Sequence, residues 1–311
     1  AAINFFAIVV TEAVSVYAAH RVCPELRIRF ADSGLSHVRE MIVFGGKTVI
    51  VWLPPLVLLQ GSALIVAKFL GPAALAVYSR PMSLLRSTQT FINKFAFVLT
   101  PTAGSLQSSG RHDDLRTLLM EATRLSAFLV LPIVVFMVVL AGPILRIWRG
   151  PRYDQGLVMA ILALGHFLPM SYRPAKTILI GMNLHGRLGL VTLATALFGM
   201  GLGLAAFNTM GWNLTRVALL VAVPFTFSEG IVVSLYACRE LGIPVITYMK
   251  ETFRTPLWCV TPFALVLVII RMTVVKNPLL AIGLGCAAGA SILGPMYWRH
   301  AIPAEYREKI L

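Results

Sequence analysis

Long apolar stretches alternate with short, polar and mostly basic connections along the whole chain. A membrane-spanning helix needs ~20 mostly apolar residues. The pattern predicts nine such helices, at roughly 3–20, 41–68, 74–100, 115–142, 156–182, 186–207, 215–238, 253–271 and 278–298. Several carry Pro or Gly inside: Gly45-Gly46, Pro54-Pro55, Pro132, Pro169 with Pro174, and Pro224. Breaks of this kind are tolerated in a span when neighbouring helices or water satisfy the freed backbone groups. They predict bent helices. The fold class expected is all-α, a polytopic integral membrane helical bundle.

Composition agrees with this pattern. The chain is 58% hydrophobic and 13% charged, where a soluble domain carries about 25% charge. Its formal net charge of +14 invites a nucleic-acid reading. The basic residues, however, lie between or inside apolar spans and form no stripe on a soluble face, so nucleic acid is excluded as a partner. The four cysteines are scattered and show no metal-ligand spacing, and no metal or cofactor is indicated. No connection is long enough for a soluble catalytic domain, and no phosphate-binding glycine loop is present. Neither paired carboxylates nor a nucleophile–base arrangement is evident, so the chain is not expected to be an enzyme. Asn213-Leu-Thr matches a glycosylation sequon, a weak signal. Basic residues concentrate in the connections at 21–40, 101–114, 183–187 and 239–254 and in the tail. The positive-inside rule places those in the cytoplasm and the 144–155 connection outside.

The most informative residues are charges within the spans. Lys47, Arg80, Arg86, Lys94, Arg124, Arg173 and Lys176 all lie in apolar stretches, with Glu12, Glu229 and Glu121 as the acids. A charge at the bilayer centre costs at least ~2.5 kcal/mol, so such residues usually face a wet interior and act there. Their common sign points to an anion. In the third span Arg80, Ser83, Ser87, Thr90 and Lys94 fall within an arc of about 80°, flanked by Arg86 and Asn93. Arg80 and Lys94 are separated by ~21 Å of helix. A stripe of that length lines a cavity or packs on other polar helices; the alternative for Arg80 is snorkelling to the headgroups. In the fifth span His166, Arg173 and Thr177 share a face, with Lys176 nearby, where Pro169 and Pro174 bend the helix and free carbonyls. His166 taken alone reads as a core histidine. Arg124 has Glu121 three residues before it, the spacing of a simple helical ion pair. Glu12 and Glu229 are candidate counter-ions or proton carriers, with His166 as a further candidate for coupling.

Three segments carry a resemblance. KFLGPAALAVYSRPMSLL, VLTPTAGSLQSSGRHDDLRTLLMEATRLSAF and AGPILRIWRGPRYDQGLVMAILAL, in that order, resemble the polysaccharide transporter branch of the multidrug/oligosaccharidyl-lipid/polysaccharide exporter superfamily. The carriers are an LG-x-x-A-x-x-x-Y turn between spans, a Pro-ended span followed by Gly and a charged segment, and the Trp148–Tyr153 loop. The resemblance implies two six-helix bundles facing a central cavity. Residues 1–20 would then be the last helix of the first bundle of an N-terminally truncated chain, and 21–40 a cytoplasmic linker. Residues 41–240 would form the second bundle, and 241–311 two additional helices and the tail. Ser62 stands where relatives often carry an acid.

The function implied is a flippase of the bacterial inner (plasma) membrane. It would carry undecaprenyl-pyrophosphate-linked oligosaccharide to the outer face for polysaccharide export, by alternating access. The pyrophosphate would be bound by Arg80, Lys94, Arg173 and Lys176, with Arg86 and Lys47. Its partners would be the lipid-linked oligosaccharide, membrane lipids and polysaccharide polymerase machinery. The rivals are a drug or cation antiporter of the same superfamily, which would need intramembrane acids, and a membrane glycosyltransferase or polymerase acting on lipid-linked sugars.

Overall fold

The computed structural model describes residues 2–23, 34–150, 154–274 and 277–301. Much of the basic linker (24–33), the end of the Trp148 loop, Lys276 and the tail residues Arg307 and Lys309 lie outside the described residues. Among those described there is no strand; the chain is helix and short connection throughout. It divides into two units, Ala1–Gly45 and Gly46–Leu311.

The first unit holds α1 (Ala2–Val22) and the start of α2 (Leu35–Phe97). From Phe5 to Val22 the α1 residues are exposed, Glu12 among them. This apolar surface suits lipid or another helix and does not form a water-facing exterior.

The second unit continues α2 and adds α3 (Leu99–Ser108), α4 (His112–Val139), α5 (Ala141–Arg149), α6 (Gly156–Ser171), α7 (Arg173–Gly181) and α8 (His185–Met210). It then runs through α9 (Leu214–Phe225), a π-helix (Thr226–Val232) and α10 (Val233–Leu241) to α11 (Val245–Thr273) and α12 (Pro278–His300).

At 63 residues α2 is far longer than a bilayer is thick. Gly71, with φ 85° and ψ 171°, breaks its helical path at the sequence-predicted LG-x-x-A-x-x-x-Y turn. The two arms return on one another: Arg86 Nη2 lies 3.5 Å from Gln60 Oε1, whereas 26 residues of straight helix would separate them by about 39 Å. Among the described residues, eight helical stretches are long and apolar enough to cross a membrane. One of these, Val38–Ser108, is doubled at Gly71, which gives the nine crossings that hydropathy predicts.

Small residues set the closest approaches between helices. A Cβ on Gly189 of α8 would lie 2.9 Å from the Val51 nitrogen of α2. One on Gly165 of α6 would collide with the Ala222 backbone of α9, and one on Gly181 of α7 would collide with the Thr100 carbonyl of α3. In lipid, apolar surface gives no net drive for helices to meet, so close backbone packing of this kind holds them together.

Proline supplies the second organising feature. A proline inside a helix cannot donate to the carbonyl four residues back, and in a membrane that carbonyl needs another donor. Among the described residues, four of these orphans are captured by side chains from other helical segments. Pro55 frees the Val51 carbonyl, which accepts from Lys176 Nζ at 2.9 Å. Pro132 frees Phe128, which accepts from Tyr297 Oη at 2.7 Å. Pro169 frees Gly165, which accepts from Thr226 Oγ1 at 2.9 Å. Pro174 frees Met170, which accepts from Ser126 Oγ at 3.1 Å. Each bend is thereby tied to a neighbouring helix.

Candidate functional site

The fifth predicted span is two helices, α6 and α7, separated at Tyr172 between Pro169 and Pro174. The break presents Arg173 and Lys176 at the start of α7, facing the double proline of α2 and the π-helix. That π-helix begins two residues after Pro224, where the regular hydrogen-bond ladder is interrupted, and it carries Glu229. π-Helical segments of this sort are frequent at functional sites.

Lys176 and Glu229 form the centre of the arrangement. Lys176 Nζ donates to Glu229 Oε2 at 2.6 Å, with the side chains 2% and 4% exposed. The same ammonium holds the Val51 carbonyl and lies 5.7 Å from the centre of the Trp52 ring. Two of its three N–H groups are therefore committed inside the chain, and Glu229 serves as its counter-ion. Arg173 stacks its guanidinium over Trp52 at 4.5 Å, a cation–π contact. Arg173 and Glu229 line a cavity of about 70 Å³, together with Trp52, Gln89, Asn93 and Pro169. Glu229 Oε1 has no hydrogen-bond partner among the described residues.

A second recess of about 530 Å³ lies between the two arms of α2. Its polar lining comes from Gln60, Ser79, Arg80, Ser83 and Arg86, with apolar walls from Leu59, Leu75 and Met82. Among the described residues that line it there are two arginines and no acid. A third groove, of about 440 Å³, borders the first two regions: it shares Trp52, Pro55 and Leu59 with the cavity, and Leu59, Gln60 and Arg86 with the recess.

The sequence-predicted residues thus separate into groups. Arg80 and Arg86 line one recess, and Arg173 and Glu229 line another cavity, with Lys176 buried behind it. Lys94 is exposed on the same polar face of α2 as Ser83, Ser87 and Thr90. Lys47 lies against Gly186 of α8 and reaches Asn183 Oδ1 at 3.4 Å. His166 is fully buried, with Nδ1 2.6 Å from the Leu162 carbonyl and its ring 4.7 Å from that of Phe225. Arg124 meets Glu121 at 4.0 Å and also the His300 carbonyl at 3.1 Å. The Asn213 side chain of the sequon caps α9 by accepting from Arg216 N at 2.8 Å.

Two contributors escape a reading of the sequence. Trp52 is apolar enough to pass as ordinary span, although it precedes Pro54-Pro55. Gln89 lies three residues from Arg86 and four from Asn93, and so on their face of the helix, and that spacing is the available signal.

Residues 3–157, about half of the chain, match the family described as polysaccharide biosynthesis protein. Over 243 residues the chain is 21% identical to the uncharacterized membrane protein EpsK of Bacillus subtilis (strain 168), covering 78% of this chain and 48% of that protein. The chain therefore spans about half the length of this curated relative. No solved structure matches. With the helical membrane architecture, these two matches support the resemblance read in the sequence: the chain is a polytopic helical membrane protein similar to a polysaccharide biosynthesis family.

Proposed function

We propose that this protein is a transporter rather than an enzyme, and that it flips undecaprenyl-pyrophosphate-linked oligosaccharide across the bacterial inner membrane for polysaccharide export. One observation carries the reading: the recess between the arms of α2 is lined by Arg80 and Arg86, has no acid among its described lining residues, and lies in a stretch apolar enough to cross the membrane. Guanidinium forks are the donors best suited to pyrophosphate oxygens, and this recess has two of them, with the Ser83 hydroxyl beside them. Lys94, further along the same face, extends the positive stripe, and Arg173 lines the neighbouring cavity. Lys176, held by Glu229 and Val51, positions this end of the path and is not itself a first contact for the headgroup. The isoprenoid would remain in lipid while the sugar crosses through water, and rocking of helical bundles would alternate access. Outward movement of an anion is favoured by an inside-negative potential, by ~2.3 kcal/mol per charge per 100 mV.

Export of the lipid-linked sugar in cells carrying Arg80→Glu or Arg86→Glu tests this. Export should be abolished while the protein remains in the membrane, and Arg→Lys should do less harm because charge survives without the fork. Normal export by the Glu variants would refute the anion path. Drug efflux that survives in those variants would favour the antiporter reading instead.

A further inference from the structure

The cavity beside Trp52 has a different chemistry from the arginine recess. Its polar lining is one guanidinium, one carboxylate and two carboxamides, from Arg173, Glu229, Gln89 and Asn93. A pyrophosphate would meet the Glu229 carboxylate there, whereas the Arg80–Arg86 recess offers it two cations with no acid among the described lining residues. Glu229 Oε1 is unpartnered among the described residues although the side chain is only 4% exposed. A buried acceptor in that state requires a donor. The neighbouring carboxamides can donate and accept, while Arg173 donates. Groups that both donate and accept, in close succession, are what such a lining complements, and sugar hydroxyls have that character.

Size limits the occupant. The cavity measures about 70 Å³, whereas one water requires about 10–15 Å³ of such space. A few waters fit, or the hydroxyl-bearing edge of a sugar, but not an entire oligosaccharide. Arg173 already covers one face of the Trp52 ring, so on that face the indole supports the arginine and does not stack a sugar. The groove lined by Trp52, Leu59, Gln60 and Arg86 shares wall residues with both this cavity and the arginine recess, so the two sites are neighbours on α2. A molecule with adjoining phosphate and sugar parts could therefore reach both.

We infer that the Glu229–Arg173–Asn93–Gln89 cavity is a hydroxyl-recognising subsite for the sugar nearest the pyrophosphate, while Arg80 and Arg86 hold the pyrophosphate itself. This rests on the lipid-linked-oligosaccharide reading above. Glu229 Oε1 accepts a hydrogen bond from a hydroxyl while Oε2 remains with Lys176, and Asn93 and Gln89 complete the hydroxyl contacts. Sites built to hydrogen-bond a hydroxyl discriminate strongly against a ligand that lacks it, because their own buried groups are then left unpaired.

The test is a binding comparison on the protein in lipid nanodiscs. The probes are undecaprenyl pyrophosphate and the same lipid bearing one hexose or one N-acetylhexosamine. The protein should bind at least one sugar-bearing probe about 10-fold more tightly than the bare lipid, the ratio expected from one good hydrogen bond to a charged group. Glu229→Gln and Asn93→Leu should collapse that ratio towards one, whereas Arg86→Ala should weaken all probes and preserve the ratio. Asn93 is no part of the Lys176–Glu229 ion pair, so Asn93→Leu keeps the comparison decisive if Glu229→Gln fails to fold. Equal affinity for bare and sugar-bearing lipid, or a ratio unaffected in the subsite variants, overturns the subsite but leaves the pyrophosphate reading standing. Failure of every probe to bind overturns both.

Discussion

Replacing Lys176 with Met removes a charge while retaining most of the side chain's length and volume. The structure indicates two separate costs. Glu229 is left as a buried carboxylate whose 2.6 Å partner has gone. Breaking a buried pair by deleting one member costs about 3–5 kcal/mol, because the remaining charge is uncompensated. Val51 also loses the donor to its carbonyl at 2.9 Å, and Pro55 has no N–H with which to replace it. An unsatisfied buried carbonyl adds about 1–3 kcal/mol. Hydrogen bonds measured inside membrane proteins average nearer ~0.6 kcal/mol, which sets the lower bound for that second part. Lys176→Met should therefore lower stability by roughly 4–8 kcal/mol when these contributions are combined. Glu229→Gln, which leaves Lys176 with its carbonyl and an amide, should cost less. The combination Lys176→Met with Glu229→Gln buries no charge and should recover most of the first loss, about 2–4 kcal/mol relative to additivity. Adding Pro55→Ala to Lys176→Met should return about 1 kcal/mol, since the backbone N–H restored by alanine can donate to Val51. Equilibrium unfolding in mixed micelles, followed by tryptophan fluorescence, provides the assay. Additive losses in the double variant would show that Lys176 and Glu229 are not coupled, and the argument would fail.

Two further outcomes follow from the same packing rules. Tyr297→Phe should destabilise by about 1 kcal/mol in the native background, yet by much less beside Pro132→Ala, because the alanine supplies the N–H that the Phe128 carbonyl otherwise takes from Tyr297; equal cost in both backgrounds, measured by the same unfolding experiment, would refute the orphan-carbonyl account. Gly165→Val should cost about 1–3 kcal/mol by overpacking against the Ala222 backbone, whereas Gly201→Val, with nothing within 4 Å of the place its Cβ would take, should melt near the native temperature in detergent thermal-shift measurements.

The hydropathy pattern and the turn residues make much of the architecture legible. The spans, the turn at Gly71 and the interruption between Pro169 and Pro174 all follow from local chemistry, which acts over a few residues. Helix ends are less accessible. α11 begins at Val245, whereas hydropathy places the start of that span near 253. Lys250, Glu251 and Arg254 interrupt the apolar pattern but not the backbone ladder; hydropathy reports where lipid would begin, and the helix extends beyond that boundary. The polar face of α2 is visible from its spacing, whereas the pairing of Lys176 with Glu229 is not. Those residues lie 53 positions apart, and no local rule selects which acid a lysine will meet. Proline identifies each freed carbonyl, at four residues before it, but the capturing side chain depends on which helices are neighbours. For the same reason the expected cation group appears as two neighbouring regions and a buried support.

The division among the intramembrane cations has a physical basis. A buried charge compensated by the chain itself stabilises a particular packing, and a ligand can recruit it only by displacing the partner it already has. Lys176 is such a charge, with Glu229 and a carbonyl, whereas Arg124, a third exposed, has a looser pair with Glu121 and a carbonyl. Arg86 instead meets the neutral Gln60 at 3.5 Å, in a recess with no acid among its described lining residues. An arriving anion gains a charge held in that way by exchanging one neutral contact, with no carboxylate to displace, so it is the better suited to transport. Arg173 lies between these cases: Trp52 supports its guanidinium, while the cavity it lines contains a carboxylate with one oxygen still to satisfy. Substitution should separate the roles. Loss of Lys176 should appear first as instability, loss of Arg80 or Arg86 as failed export by a folded protein, and loss of Arg173 as altered sugar preference.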